Sequence, residues 1–216
     1  MGPGSLGTNK LVVIVDYGMG NLRSVFKAFE YLGCKVVITH DQKEIERADY
    51  LVLPGVGAFG DGMENLKQFG LVETLKEEVI LKKKPFLGIC LGLQLLARDS
   101  EEFGFHQGLG WIEASVKKIE PEDKKIKIPH VGWNALKIKD EKCPLFQGIK
   151  QDSCFYFVHS YHLVSDSERY VKATSDYGQE FTAAIQKENI FAVQFHPEKS
   201  QMIGLRLLEN FISWEE

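Results

Sequence analysis

Short continuous apolar runs alternate with segments of helical hydrophobic spacing along the first hundred residues of the chain. The first run, Leu11–Val15, consists almost entirely of β-branched residues and is typical of a strand buried on both faces. Between the runs, apolar residues recur every three or four positions, as in amphipathic helices. The predicted strands are 11–15, 35–39, 50–54 and 86–90, and the predicted helices are 22–32, 59–69 and 71–82. This alternation predicts a parallel sheet with helices on both faces.

The pattern changes after about Gly110, where short apolar segments follow one another closely. The predicted strands there are 111–119, 135–139, 155–158, 161–164, 170–174, 182–186 and 190–194, and a closing helix is predicted at 201–211. The chain is therefore predicted to be an α/β protein with a mostly parallel central sheet, flanked by helices on both faces, and additional short antiparallel strands in its C-terminal half. No repeat or long linker marks a second domain, so 9–216 are predicted to form one domain. Residues 1–8 are interpreted as an expression remnant and a disordered start.

A cysteine, Cys90, stands at the end of the predicted strand 86–90, with Gly88 and Gly92 two positions before and after it. Small residues on both sides of one reactive side chain are typical of a sharp turn from a strand into a helix. At that corner Cys90 would lie beside a helix N-terminus, where the positive end of the dipole favours the thiolate. The pattern predicts a nucleophile, although a lone cysteine in an apolar run is more often a buried structural residue.

A second candidate for chemistry is His196-Pro197-Glu198, which follows an alternating apolar strand. Pro197 favours an extended backbone at the histidine, and residues two apart in an extended chain point to the same side. Glu198 could thus hold one imidazole nitrogen of His196 while the other nitrogen faces a thiol. The alternative is an ordinary histidine at a strand end beside a surface glutamate.

The glycine-rich segment 54–60 follows another predicted strand, and the carboxyl ends of parallel strands gather at one edge of a sheet. Its backbone N–H groups could therefore point at an oxyanion near Cys90, together with the N–H of Leu91. A phosphate-binding loop is the alternative, but no Gly-Lys-Ser/Thr follows, which excludes a Walker loop. Gln94 lies one helical turn beyond Cys90 and could bind a substrate there, or it could simply face solvent.

Composition narrows the classes of function. With 216 residues, 44% of them hydrophobic, the chain can bury a full core, and a net charge of -4 gives no sign of binding to nucleic acid or to an anionic membrane. No apolar run is long enough to cross a bilayer. Four widely spaced cysteines favour a reducing cytoplasm over a disulfide scaffold. No Cys/His cluster has zinc spacing, so no metal or other cofactor is expected, and His40, His106 and His130 are interpreted as surface or structural residues.

Several motifs resemble those of a known family, the class I (triad) glutamine amidotransferases. The shared motifs are Pro54-Gly55-Val56-Gly57, Gly88-Ile89-Cys90-Leu91-Gly92 and His196-Pro197-Glu198. Four further segments are similar to the glutaminase subunits of bacterial imidazole glycerol phosphate synthases: DYGMGNL at 16–22, PHVGWN at 129–134, FYFVHSY at 155–161 and FHPEKS at 195–200. The likeness extends from about Lys10 to the end of the chain.

The resemblance implies that glutamine is hydrolysed to glutamate and ammonia through a glutamyl thioester on Cys90, with His196 moving the protons and Glu198 orienting it. It also implies roles for further residues, namely oxyanion donors at Val56, Gly57 and Leu91, glutamine contacts at Gly55, Gln94, His159, Ser160 and Tyr161, and a partner interface at Asn21, Trp133 and Lys199. Without the resemblance, the last three would be interpreted as a helix N-cap, a core aromatic residue and a solvated lysine.

The implied partner is a cyclase subunit with a (β/α)8 barrel, which would form a heterodimer with this chain and receive its ammonia through a channel in histidine biosynthesis. One alternative is a paralogous glutaminase that feeds another synthase, such as a sugar-amidating enzyme; the triad cannot separate the two because it handles only glutamine. A catalytically silent regulatory subunit is disfavoured by the complete Cys-His-Glu set. A cysteine peptidase is disfavoured by Gln94 and the segment 54–57, which favour a small amide substrate.

Overall fold

A computed structural model of the chain describes residues 10–215, so the predicted expression remnant at 1–8 lies outside the described residues. The strands are β1 Leu11–Val15, β2 Lys35–Thr39, β3 Tyr50–Gly55, β4 Phe86–Cys90, β5 Asp99–Ser100, β6 His106–Gln107, β7 Ala114–Lys118, β8 His130–Ala135, β9 Lys137–Ile138, β10 Cys154–His159, β11 Tyr161–Ser165, β12 Val171–Asp176, β13 Glu180–Lys187 and β14 Ile190–Val193. The α-helices are α1 Leu22–Tyr31, α2 Gln42–Arg47, α3 Phe59–Gln68, α4 Leu71–Leu75, α5 Leu91–Gln94 and α6 Gln201–Ile212.

An eight-stranded sheet in the order β2-β1-β3-β4-β14-β13-β12-β9 forms the centre of the molecule. Its first five strands are parallel, and the last three continue it in antiparallel fashion. A two-stranded sheet of β8 and β10 and a four-stranded sheet in the order β11-β7-β5-β6 are separate from it. The prediction of a mostly parallel sheet with added antiparallel strands in the C-terminal half is confirmed.

The side chains of β1 point alternately into two apolar clusters, one on each face of the central sheet. Val12 and Ile14 lie in the cluster that includes residues of α1 and α6, whereas Val13 and Val15 lie in the cluster that includes residues of α3 and α4. All four side chains are fully buried, which explains why this strand is a continuous apolar run instead of an alternating one. Helices therefore cover both faces, as the sequence predicts.

Several elements, including β5, β6 and most of β8, differ from the sequence prediction. Helix α2 has no counterpart in it, because six residues are too few to show a helical period. Its start is nevertheless marked by Asp41, whose side chain accepts hydrogen bonds from the N–H groups of Lys43 (2.8 Å) and Glu44 (3.3 Å). The predicted helix 71–82 becomes π-helical at Lys76–Leu81, and the predicted strand 135–139 is divided between the end of β8 and the short β9.

Candidate active site

The carboxyl ends of three neighbouring strands meet at one edge of the central sheet. Strand β4 ends at Cys90, and β3 and β14 run parallel on either side of it. Gly55 of β3 pairs with Cys90, and Val193 of β14 pairs with Ile89. His196 follows the end of β14 by three residues, so the fold carries it to the same edge as the cysteine.

The backbone at Cys90 turns sharply from β4 into α5. Its φ of 55° and ψ of -105° form a conformation that non-glycine residues rarely adopt and that recurs at functional sites. The flanking glycines permit the turn: a Cβ on Gly92 would overlap the Leu53 carbonyl oxygen, and a Cβ on Gly88 would lie 2.8 Å from the Gly92 carbonyl oxygen. Because α5 is only four residues long, its dipole offers the thiolate less support than the sequence pattern implies.

His196 and Glu198 form a buried pair directly after β14. The imidazole Nδ1 lies 2.8 Å from Glu198 Oε1, and both side chains are 2% exposed. The His196 N–H donates to the Tyr156 carbonyl (2.8 Å), and the Ser200 hydroxyl donates to the His196 carbonyl (2.6 Å), so the backbone is held on both sides. The second ring nitrogen, Nε2, is buried and is not engaged by an oxygen or nitrogen atom of another described residue, so it is available to exchange a proton with the Cys90 side chain.

The surroundings of His196 raise its pKa to about 10. Burial opposes the charged imidazolium, but interactions with the Cys90 side chain and with Glu198 outweigh it. Since Glu198 binds Nδ1, Nε2 is the nitrogen left for Cys90. An imidazolium beside the sulfur stabilises the thiolate, which is the nucleophilic form of cysteine.

Two further groups contact the Cys90 sulfur. The Gln194 side-chain amide donates to Sγ (3.6 Å), and the Val158 carbonyl oxygen lies 3.8 Å from it. Gln194 is held in turn by Gln94, whose amide nitrogen donates to Gln194 Oε1 (3.1 Å) and to the Tyr161 carbonyl (2.9 Å). Gln94 is thus buried and does not face solvent, and both N–H groups of its amide are used inside the protein. Its carbonyl oxygen is the atom left to contact a substrate.

A pocket of about 230 Å³ opens beside Cys90. Pockets for drug-sized ligands usually hold about 300–1,000 Å³, so this one suits a smaller molecule. Its lining consists of Val56, Gly57, Cys90, Leu91, Gln94, Glu102, Pro129, Val158, His159, Ser160 and Tyr161. All three predicted oxyanion residues line the pocket, and so do the predicted glutamine contacts apart from Gly55. The Cα of Gly55 instead faces the side chains of Tyr17 and Leu91.

Glu102 is a pocket residue that sequence reasoning does not single out. It is buried, and its carboxylate accepts a hydrogen bond from the Phe59 N–H (2.7 Å). Burial raises its pKa, against the opposing effect of that hydrogen bond. The polar sequence around Glu102 does not predict a place in the pocket, because the tertiary fold, and not a local pattern, brings this loop to the pocket. Gln194 does carry a signal, since it is a polar residue inside an apolar strand segment.

His130 and His159 form a neutral hydrogen-bonded pair behind the pocket. His159 Nδ1 lies 2.9 Å from the Tyr161 carbonyl, which can only accept, so His159 Nε2 must accept in turn from His130 Nδ1 (2.9 Å). Burial lowers the pKa of His159 to about 3 and that of His130 to about 4. His159 is therefore an uncharged, fixed part of the pocket wall at neutral pH, and His130 is a structural residue.

An exposed apolar surface borders the pocket on the small sheet of β8 and β10. Val131 (54% exposed) pairs with Val158 (36%), and Trp133 (48%) pairs with Tyr156. Residues two apart in a strand face the same side, so these four side chains form one surface, here named the β8–β10 patch. Lys199 Nζ lies over the Tyr156 ring, 5.9 Å from its centroid. Trp133 is thus a surface residue and not a core aromatic.

The remaining sequence predictions concern the surface and possible metal ligands. Asn21 is exposed, and its side chain accepts a hydrogen bond from the Ser24 N–H (3.4 Å), so it caps α1. Within residues 10–215, no three His, Cys, Asp or Glu side chains are grouped in a way that could hold a metal ion. In the same part of the chain, no helix combines the length and the apolar character needed to cross a membrane.

Comparisons with known proteins show which family the chain matches. Residues 13–214 match the family described as glutamine amidotransferase class-I. The chain is 52% identical over 202 residues to imidazole glycerol phosphate synthase subunit HisH 1 of Campylobacter jejuni strain RM1221, covering 94% of this chain and 99% of the relative. It is 51% identical over 200 residues to subunit HisH of Aquifex aeolicus strain VF5, covering 92% and 94%.

Solved structures share the fold at low sequence identity. PurLQS from Thermotoga maritima superposes with a TM-score of 0.75 at 17% identity, covering 95% of this chain and 99% of that one. The glutaminase domain of Trypanosoma brucei CTPS with bound acivicin superposes with a TM-score of 0.66 at 16% identity, covering 96% and 95%. Together with the matched family and the close relatives, they lead to one conclusion: the chain belongs to the class I glutamine amidotransferases.

Proposed function

We propose that this chain is the glutaminase subunit of an imidazole glycerol phosphate synthase, acting in histidine biosynthesis. The observation that carries the proposal is the position of the sharp turn at Cys90, here named the elbow. It lies at the same sheet edge as the buried His196–Glu198 pair, beside a small pocket. The HisH relatives support the choice of synthase, because they are about half identical over nearly their whole length.

We further propose that 9–216 act as one domain, built on the single central sheet. The free thiols of Cys90, Cys143 and Cys154 suit a cytoplasmic location.

The chemistry begins when the Cys90 thiolate attacks the side-chain amide carbon of glutamine, which forms a C–S bond and a tetrahedral oxyanion. His196 gives the Nε2 proton to the amide nitrogen, the C–N bond breaks, and ammonia leaves behind a glutamyl thioester. Water then attacks the thioester while the neutral His196 takes up its proton. The C–S bond breaks, the electron pair returns to sulfur, and glutamate leaves. Glu198 keeps the imidazole oriented and stabilises its charge throughout.

The oxyanion needs backbone donors, and the ladder between β3 and β4 determines which are available. The Leu51 N–H bonds to the Pro85 carbonyl (2.9 Å), and the pairing continues in regular register to Gly55. In a parallel ladder, every second residue of a strand bonds to the neighbouring strand through both its N–H and its carbonyl group. Gly55 is four residues beyond Leu51, so its carbonyl is directed at the Leu91 N–H. We propose that the Gly55–Val56 peptide turns during activation, which frees the Leu91 N–H and points the Val56 N–H into the pocket.

Glutamine recognition is proposed from the groups that line the pocket. Among the described residues, Glu102 is the one carboxylate in the lining, so it is assigned to the α-ammonium group of the substrate. The free carbonyl oxygen of Gln94 is assigned to the substrate amide. Both ring nitrogens of His159 are already used, so this residue shapes the wall, while Ser160 and Tyr161 contact the α-carboxylate. Gly57 contributes space beside Cys90.

The docking surface for the cyclase subunit is proposed to be the β8–β10 patch together with Lys199 and Asn21. Exposed apolar side chains of this kind, with aromatic residues at their centre, are typical of protein interfaces. Val158 belongs both to the patch and to the pocket lining, so a partner bound there would cover the pocket. That arrangement suits a (β/α)8 barrel that forms a heterodimer with this chain and receives ammonia through a channel.

Glutamate release tests the proposal when it is measured for the chain alone, with the cyclase subunit, and with the cyclase and its nucleotide substrate. We expect slow release by the chain alone and an increase of about 100-fold in the full complex, because the oxyanion donors must be turned into place. The Cys90→Ala variant should bind the cyclase and release no glutamate. Stimulation by a sugar-amidating synthase instead of the cyclase would contradict the assigned pathway, and equal release by Cys90→Ala would contradict the glutaminase itself.

A further inference from the structure

Tyr17 is a buried polar residue to which the proposed mechanism gives no role. It lies in the turn after β1, and its side chain is fully buried. Its hydroxyl makes no hydrogen bond with any residue in the described part of the chain. Buried hydroxyls almost always have a partner, and one without a partner destabilises the conformation in which it is found. The hydroxyl therefore points to a second conformation in which it is satisfied.

The group that contacts this hydroxyl is the backbone of the proposed oxyanion segment. A Cβ on Gly55 would overlap the Tyr17 hydroxyl oxygen, so that oxygen lies directly against the Gly55 backbone. The same turn also supports the neighbouring positions. A Cβ on Gly20 would lie 3.2 Å from the Gly55 Cα, and a Cβ on Gly57 would lie 2.7 Å from the Met19 side chain. Residues of the turn after β1 thus pack directly against the segment 55–57.

The ladder between β3 and β4 gives the Gly55 carbonyl a partner before activation but not after it. Directed at the Leu91 N–H, that carbonyl is satisfied by the first residue of α5. Once the Gly55–Val56 peptide turns, the carbonyl leaves the Leu91 N–H and needs a new donor within the protein. A tyrosine hydroxyl in contact with the Gly55 backbone is a donor at the required place, and glycine at both 20 and 55 leaves the peptide room to turn.

We propose that Tyr17 is a positioning residue for the oxyanion hole: its hydroxyl donates to the Gly55 carbonyl after the Gly55–Val56 peptide has turned, and so holds the Val56 N–H towards the tetrahedral intermediate. The inference rests on the proposed glutaminase function and deepens it. Burial, reinforced by the charge of Cys90, raises the pKa of Tyr17, so the phenol keeps the proton that it must donate.

The test compares Tyr17→Phe with the matched variant Tyr50→Phe in the complex with the cyclase. Tyr50 is also buried, but its hydroxyl is satisfied, since it donates to the Trp214 carbonyl (3.0 Å) and accepts from Lys10 Nζ (2.9 Å). Tyr17→Phe removes a hydroxyl that is unsatisfied before activation and bonded after it. We expect kcat for glutamate release to fall about tenfold at unchanged KM, with the Tm unchanged or higher. Tyr50→Phe should lower the Tm and leave kcat unchanged.

A second readout uses glutamate γ-semialdehyde, which forms a tetrahedral adduct with an active-site thiol. Tyr17→Phe should weaken its binding about tenfold and leave the binding of the product glutamate unchanged. If the wild-type complex is active and Tyr17→Phe has the same kcat and the same affinity for the semialdehyde, the inference is overturned. A loss of activity that parallels a loss of Tm would assign Tyr17 a merely structural role and would also overturn it. If the wild-type complex releases no glutamate, the proposed function fails instead.

Discussion

Four buried histidines illustrate how the surroundings of a side chain, and not its type, set its charge. Burial lowers the pKa of His130 and His162 to about 4 and that of His159 to about 3. His196 is equally buried, yet its pKa is raised to about 10 since the Cys90 side chain and Glu198 outweigh the cost of burial. Of these four histidines, only His196 is therefore expected to be charged at neutral pH.

Replacing Cys90 by serine should lower the pKa of His196, because the interaction with the sulfur is removed while burial remains. A pKa raised in the folded state contributes stability that is fully present below about pH 6.5, the value in the unfolded chain, and is lost as pH rises through about 10. Cys90→Ser should therefore lose part of the wild-type stability at pH 6. NMR titration of the imidazole measures the pKa, with the exposed Cys154→Ser as the control. An unchanged pKa in Cys90→Ser would contradict the thiol–imidazole pair.

The Glu102→Gln variant should raise the KM for glutamine about 10- to 100-fold and change kcat little, because it removes a charge assigned to the substrate ammonium and keeps the shape of the side chain. Steady-state glutamate release measures both constants. Its neighbour Glu101 is exposed and does not line the pocket, so Glu101→Gln is the matched control. A lower kcat at unchanged KM would refute the assignment.

Local residue patterns predict part of the candidate site. Cys90 between two glycines and the spacing of His196 and Glu198 are local features, so they can be predicted from the sequence. Glu102 cannot, since its role depends on a loop that folds back over the carboxyl edge of the sheet. The hydrogen-bonded state of Gln94 likewise depends on Gln194, a hundred residues away.

At the scale of elements, the elbow depends on close backbone packing between β3, β4 and α5. The Gly92 Cα lies so near the Leu53 carbonyl that no side chain fits between them. The first turn of α5 is therefore pressed against β3, which fixes the direction of the Cys90 side chain. Glycine is required here for space, not for a positive φ.

Gly92→Ala should lower the free energy of unfolding by about 1–3 kcal/mol, because the methyl group forces α5 away from β3. It should also reduce kcat, since the Cys90 sulfur moves with α5. Chemical denaturation and glutamate release measure the two effects. Gly62→Ala in α3 meets only the ends of the Leu91 and Leu95 side chains, 3.2–3.3 Å away, so it should change stability by less than about 1 kcal/mol. Equal effects of the two variants would contradict the argument.

Long elements with strong periodicity are predictable from the sequence, and short or irregular ones are not. The inner parallel strands β1, β3, β4 and β14 are continuous apolar runs because both faces are buried, whereas the edge strand β2 is partly exposed. The structure has all five strands where the pattern predicts them. The six residues of α2 are too few to establish a period, and the π-helical turn at Lys76–Leu81 has the same hydrophobic pattern as an α-helix.

At the scale of the whole molecule, the proposed catalytic residues and the proposed docking surface lie on one side of the fold. Cys90, His196 and Glu198 lie at the carboxyl edge of the parallel strands, and Val158 links the pocket lining to the β8–β10 patch. Whatever binds the patch is therefore in contact with the wall of the pocket. With the proposed docking, this proximity would let a partner influence the segment 55–57 without a long chain of intermediate residues.

Trp133→Ala should weaken cyclase binding about 30-fold, because a central aromatic side chain contributes much of the energy of an interface. The fold of the isolated chain should be unaffected, since Trp133 is half exposed. Calorimetric titration with the cyclase measures the affinity. Leu81→Ala removes an exposed apolar side chain (64%) near the opposite, amino end of β4 and serves as the control. If Trp133→Ala binds the cyclase with unchanged affinity, the proposed location of the interface is wrong.

The central claim is that Cys90 forms a covalent bond with the acyl group of glutamine. Rapid acid quenching of the complex during turnover, followed by mass spectrometry of its peptides, tests this claim most directly. The peptide that contains Cys90 should carry one additional glutamyl group, which hydroxylamine removes and which is absent when glutamate replaces glutamine. Sustained glutamate release with the label on another residue, or with no covalent label at all under conditions that trap thioesters, would contradict the account.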